Sequence, residues 1–326
     1  MNWEQVKQLG WVPRDGKNLR ILSLDGGGIR GIFPATYLAR FEKETGSPIN
    51  QYFDLIVGTS TGGILALGLS IGIPAEELAT MYIMNAANIF KKKKLSIRGI
   101  LSNQFKNDGL RNMLEAVFKN KRIADADVML CIPSVEHSKA SPKVFKTPHC
   151  DHLFNDYKYS MSDVALATSA APTYFPAVKV DGNDCKIDGG LWANNPALVG
   201  IAEAFTLGFN VDTIKMLSIG TGSHMYAVDN KIAEKSSLIR YRSRIVDLTM
   251  QLQTTSADYT ARHLLKDNIH RVDFQLKKPM KLSETKLTRL QELQYEANNQ
   301  FMNSYVKVNS LFSQYTQATI HSGIGN

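Results

Sequence analysis

The chain has 326 residues and a formal net charge of +8, enough length to bury one large core or two smaller ones. Its 44% hydrophobic residues against 21% charged ones exclude an intrinsically disordered chain. Cys131, Cys150 and Cys185 are too scattered for a disulfide framework and form no CxxC pair, so we expect a reducing, cytoplasmic setting and no metal.

The first residues, Met1-Asn2-Trp3-Glu4-Gln5, lack the basic-then-apolar pattern of a secretory signal. An apolar strand over Leu19–Leu24 then runs into Asp25-Gly26-Gly27-Gly28-Ile29-Arg30-Gly31. A helix starts near Ile32, with Pro34 in its first turn, where proline is tolerated. A second apolar strand, Leu55–Val57, passes through Gly58-Thr59-Ser60-Thr61-Gly62-Gly63 into a helix over residues 61–71. These glycines and polar residues break up the apolar stretch 55–73, and a membrane span needs about 20 continuous apolar residues, so no span is expected there.

Further helical patterns cover residues 75–90, 108–118, 161–169 and 196–207. Strand-like runs lie at Val128–Ser134, Val144–Lys146, Cys185–Ile187, Ile214–Ile219 and Val272–Leu276. Strands alternating with helices predict an α/β domain whose mostly parallel sheet is covered on both faces. Gln251–Leu265 and Ser283–Phe312 carry apolar residues at spacings of three and four and predict a helical C-terminal extension. We therefore divide the chain into a core, residues 18–225, and a mainly helical region, 226–326, packed on it.

Charge is uneven along the chain. Residues 231–290 hold thirteen Lys/Arg and six Asp/Glu, which fits either a solvated helix face or a site for an anionic partner such as a nucleotide or lipid surface. Lys91-Lys92-Lys93-Lys94 is a second cluster, read as a solvated loop; against anionic lipid each lysine would add about 1 kcal/mol. Residues 75–106, which contain it, are the expected cover of the site.

Gly58-Thr59-Ser60-Thr61-Gly62 matches the G-x-S-x-G elbow that lifts a nucleophilic serine above a sheet. Alone the match is weak, since chance supplies it in about one chain of this length in ten. The strand before it and the glycine-rich helix after it strengthen it, because a helix N-terminus favours negative charge. Gly26–Gly31 also satisfies G-x-G-x-x-G, the dinucleotide fingerprint. That fingerprint wants a carboxylate at the end of the second strand, where this chain has the serine elbow. With a serine hydrolase the amides around Gly26, Gly27 and Gly28 would instead form an oxyanion hole, with Arg30 adding positive charge.

A base is still needed. His224, His263, His270 and His321 are the late histidines, and none has an evident aspartate partner in a glycine-framed loop. Lys186-Ile187-Asp188-Gly189-Gly190 sets an aspartate just after a short strand, and a carboxylate serves as base if desolvation raises its pKa. In isolation, Asp-Gly-Gly is also an ordinary turn.

Together, Asp25–Gly31, Gly58–Gly63, Ala167-Thr168-Ser169-Ala170-Ala171-Pro172-Thr173-Tyr174-Phe175-Pro176 and Asp188-Gly189-Gly190, in this order, resemble the patatin-like phospholipases over about residues 18–222. The resemblance implies a three-layer α/β/α fold and a Ser–Asp dyad, with Ser60 as nucleophile, Asp188 as base and Gly26–Gly28 as oxyanion hole. It implies membrane phospholipid as substrate, met by peripheral contact at the inner face of the membrane. No cofactor and no DNA or RNA polymer is expected; an oligomer is left open. The chain also looks like the bacterial effectors of anti-phage signalling in this family, which a cyclic di- or trinucleotide activates. Three alternatives stand beside this one: a constitutive lysophospholipase or lipid acyl hydrolase, a storage or binding protein on the same fold, and, remotely, a dinucleotide-binding protein.

Overall fold

A computed structural model describes residues 17–91, 104–150, 153, 155–180, 182, 184–223 and 245–312. The expectations resting on Lys92–Lys94, on residues 92–103 of the cover, on residues 231–244 of the basic stretch, and on His224 and His321 lie outside the described residues.

Among the described residues eight strands form one sheet: β1 (Leu19–Leu24), β2 (Leu55–Gly58), β3 (Met129–Glu136), β4 (Ser141–Lys146), β5 (Val178–Val180), β6 (Asp184–Asp188), β7 (Ile214–Ile219) and β8 (Ile269–Val272). Their order is β5-β6-β3-β2-β1-β7-β8, with β4 paired to β3. The pairs β3–β2, β2–β1, β1–β7 and β7–β8 are parallel, while β4, β5 and β6 enter antiparallel.

Because successive side chains of a strand point to opposite faces, β1, β2, β3 and β7 each feed two cores. Leu19 and Ile21, Leu55 and Val57, Met129 and Cys131, and Ile214 and Met216 enter the smaller core. There they meet Ala197, Ile201 and Ala204 of one helix, and Ala261 and Leu265 of another. Leu22 and Leu24, Ile56, Leu130 and Ile132, and Leu217 and Ile219 enter the larger core. The helices, in chain order, are α1 (Ile32–Thr45), α2 (Thr61–Ser70), α3 (Ala75–Ile89), α4 (Asp108–Phe118), α5 (Met161–Thr168), α6 (Gly190–Ala193), α7 (Ala197–Thr206), α8 (Ile245–Leu265) and α9 (Leu287–Phe312). Three layers, α/β/α, result, as expected from the sequence.

Helix α2 is buried along its whole length, which suits its uniformly apolar and glycine-rich sequence. The C-terminal part is less purely helical than its periodicity implies. β8 covers Ile269–Val272 rather than Val272–Leu276 and joins the sheet beside β7. α9 closes the larger core over α1, where Tyr37 Oη and Ser304 Oγ are hydrogen-bonded (2.8 Å). No helix of the described residues is long and apolar enough to cross a membrane.

One topological feature positions the site. β4 occupies one edge of β3 over Cys131–Glu136. The other edge is shared: β2 pairs with Met129–Cys131, and β6, running the opposite way, pairs with Ser134–Glu136. The C-terminal ends of β2 and β6 therefore point at each other.

Candidate active site

Ser60 follows β2 and caps α2, with φ 56° and ψ −121°. Such a conformation is costly for a residue with a side chain and is typical of a serine held at a strand–helix elbow. The turn can close only around glycines. A Cβ on Gly58 would stand 2.1 Å from the Gly62 carbonyl oxygen, and one on Gly62 would stand 2.2 Å from that of Leu24.

Asp188 ends β6 and is 1% exposed; Ser60 is 5% exposed. Ser60 Oγ donates to Asp188 Oδ2 (2.8 Å), and Gly190 N–H donates to Asp188 Oδ1 (2.7 Å). Burial pushes the Asp188 carboxyl up to about 7, against the pull of the hydrogen bonds from Gly190 and Ser60. A carboxylate at that level can accept a proton near neutral pH. Gly189 abuts Pro133, and Gly31 abuts Thr61 at the elbow.

Thr168, the last residue of α5, fills the gap between the two strand ends. Its Oγ1 accepts Ser60 N–H (2.9 Å) and donates to the Pro133 carbonyl (2.6 Å). Two residues on, the Ala170 carbonyl accepts Asp188 N–H (3.1 Å). Both members of the pair are thus tied to one segment. The sequence flagged this segment as a family run but gave no role for Thr168.

The glycine loop after β1 comes to the same place, with two changes from expectation. Gly26 N–H already donates to the Asn194 carbonyl (2.9 Å), so Gly26 seats the loop instead of offering a free donor. Among the described residues no partner meets Gly27 N–H or Gly28 N–H. Gly28 has φ +56°, and a Cβ there would stand 2.5 Å from the Leu282 carbonyl oxygen. Arg30, expected beside the oxyanion hole, turns away: Nη1 donates to the Gly222 carbonyl (2.9 Å) and Nε to that of Gly27 (3.4 Å). Its side chain faces a neighbouring pocket shared with Asp247 and Lys281.

Above Ser60 and Asp188 opens a cleft with Ile64, Ile89, Phe90, Leu110 and Phe175 in its wall. Tyr82, also in that wall, is hydrogen-bonded to Thr61 Oγ1, and burial raises its pKa. No described histidine reaches the cleft. His263 bonds the Tyr259 carbonyl on the exposed side of α8, and His270 lies in β8. Among the described residues the side chains closest to a metal-ligand grouping are Cys131, His149 and Glu203, in the smaller core. There Lys146 pairs with Glu203, and Thr147 Oγ1 bonds His149 Nδ1 (2.7 Å), so two of the three side chains already have partners.

The strand–elbow–helix serine, its buried carboxylate partner and the glycine loop thus lie together, and no histidine among the described residues joins them. Residues 22–201 match the family model described as patatin-like phospholipase, and the chain belongs to that family. It is 36% identical over 258 residues to a cGAMP-activated phospholipase of Pseudomonas aeruginosa, covering 78% of this chain and 77% of the relative. It is 37% identical to one of Vibrio cholerae, covering 68% of this chain and 69% of that protein. To one of Escherichia coli it is 36% identical, with 70% and 68% covered.

Proposed function

We propose that this chain hydrolyses ester bonds of membrane phospholipids through Ser60 and Asp188, and that a cyclic oligonucleotide of the cGAMP type switches it on. The hydrogen bond from Ser60 Oγ to Asp188 Oδ2 (2.8 Å), at the floor of an apolar cleft, carries this reading.

In the reaction, the ester carbonyl sits above Ser60 with its acyl chain in the cleft. Asp188 takes the Ser60 proton as Oγ attacks the carbonyl carbon. Charge gathers on the carbonyl oxygen, which the Gly27 and Gly28 N–H groups and the N-terminus of α2 stabilise. The C–O bond breaks, and the lysolipid leaves with the proton from Asp188. Water then attacks the acyl-enzyme, giving a proton to Asp188, and the fatty acid departs as Ser60 regains its own. In this reading the protein meets its substrate by peripheral contact at the inner face of the membrane.

Ligand control is supported by the names of the three relatives, each a cGAMP-activated phospholipase. The test is mass spectrometry of products from mixed-phospholipid vesicles, with and without cGAMP. Fatty acid and lysophospholipid appearing only with cGAMP is the expected result. Equal release without it would leave a constitutive acyl hydrolase. No release under any condition would remove the reading.

A further inference from the structure

Asp25 follows β1 and opens the Gly26–Gly28 loop, and it is 1% exposed. Arg271 of β8, with a side chain 3% exposed, meets it through two parallel bonds: Nη1 to Oδ1 (2.8 Å) and Nη2 to Oδ2 (2.6 Å). The same Nη1 also donates to Ser218 Oγ (2.8 Å), and Nη2 to Asp273 Oδ2 (2.8 Å). Asp273 Oδ1 in turn accepts the N–H groups of Gly222 and Phe274 (both 2.9 Å). One guanidinium thereby fixes the ends of β1 and β7 together.

The glycine loop hangs from this cluster. Thr221 Oγ1 donates to the Gly26 carbonyl (2.9 Å), and Arg30 bridges the carbonyls of Gly222 and Gly27. Ile29 N–H donates to the Leu282 carbonyl (2.9 Å) on the far side of the loop. Asp25 lies in an environment that burial alone would make hostile to its charge, pushing the carboxyl up to about 6 even against Arg271. Without Arg271 the carboxyl would take up a proton or move, and the loop would move with it.

We infer that Arg271 is a positioning residue for the proposed reaction: by holding Asp25 and Asp273 it aims the Gly27 and Gly28 N–H groups at the carbonyl above Ser60. This rests on the reading of Ser60 and the glycine loop given above. Arg271 lies outside the matched stretch 22–201, so the C-terminal part of the chain supplies it. Only a planar fork makes two parallel bonds to one carboxylate, and a lysine ammonium offers a point charge in its place.

An ion pair that serves stability alone would lower Tm and leave turnover of the folded protein intact, so turnover and folding are read separately. The full chain and its Arg271→Lys, Arg271→Gln and Asp25→Asn variants are assayed on phospholipid vesicles with cGAMP. Phosphonylation of Ser60 by a fluorophosphonate and circular dichroism melting are measured alongside. Loss of aim predicts at least about a tenfold fall in kcat in every folded variant, with KM within about twofold. Phosphonylation slows in parallel, and Lys retains more activity than Gln. If Arg271→Gln fails to fold, the other two variants decide. A folded Arg271→Lys or Asp25→Asn with normal kcat and phosphonylation, or with only KM raised, overturns the inference. Activity persisting in Ser60→Ala would instead overturn the reading beneath it.

Discussion

Asp188 stands opposite Ser134 in the register of β6 against β3, on the edge of β3 that β2 leaves after Val57 pairs with Cys131. Two strands meeting end to end on one edge bring residues 128 positions apart in sequence into hydrogen-bond contact, Ser60 with Asp188. Ladder bonds on β3 hold both strand ends, so the sheet preorganises the proposed catalytic pair.

The Asp188 carboxyl, raised by burial to about 7, sets the pH dependence. A base must be ionised to act, so kcat/KM rises with pH through about 7 as a single ionisation and then levels. Stability runs the other way. Between pH 4 and 7 the folded chain holds a proton on Asp188 that the unfolded chain has released, so stability falls as pH rises through that window. Asp188→Asn removes this burden. It is expected to melt above the wild type at pH 8, with the gap closing toward pH 4; a variant that melts lower at pH 8 contradicts this.

Thr168 ties the elbow to β3. Thr168→Val leaves Ser60 N–H and the Pro133 carbonyl buried without partners, at about 1–3 kcal/mol each. Reduced Tm and a fall in kcat of about tenfold or more are expected, and Thr168→Ser, which keeps the hydroxyl, should recover most of both. A valine variant with wild-type kcat would remove the hydroxyl from the account.

The cleft should select by chain length. Leu110 lies in its wall, and Leu110→Phe narrows it. Hydrolysis of long-chain phospholipid is expected to fall about tenfold while a butyrate ester is turned over within about twofold. Equal losses on both esters would mean that the acyl chain lies elsewhere.

Much of the site was legible because it is local. The elbow and the glycine loop announce themselves through glycines that close approach demands, and β1 and β7 have the bounds that their apolar runs predict. Burial paid for by ion pairs was not legible. Arg271 looks like a polar break before the run Val272–Leu276, whereas in the fold it is a strand residue neutralised by Asp25, 246 positions away. Hydrophobic periodicity cannot register such a residue, so β8 was expected too late. β5, three residues long, is too short to carry a period. The occupation of Gly26 N–H by Asn194 was hidden for a similar reason, since it depends on where α6 ends in space.

We propose that Ser60 is the nucleophile and Asp188 its base, and no histidine among the described residues lines their cleft. The most direct measurement is fluorophosphonate labelling of the intact chain in the presence of cGAMP, followed by peptide mass spectrometry. We predict one adduct, on Ser60, absent from Ser60→Ala and at least about a hundredfold slower to form in Asp188→Asn. An adduct on another residue, or a Ser60→Ala chain that still releases fatty acid from phospholipid, would contradict the account.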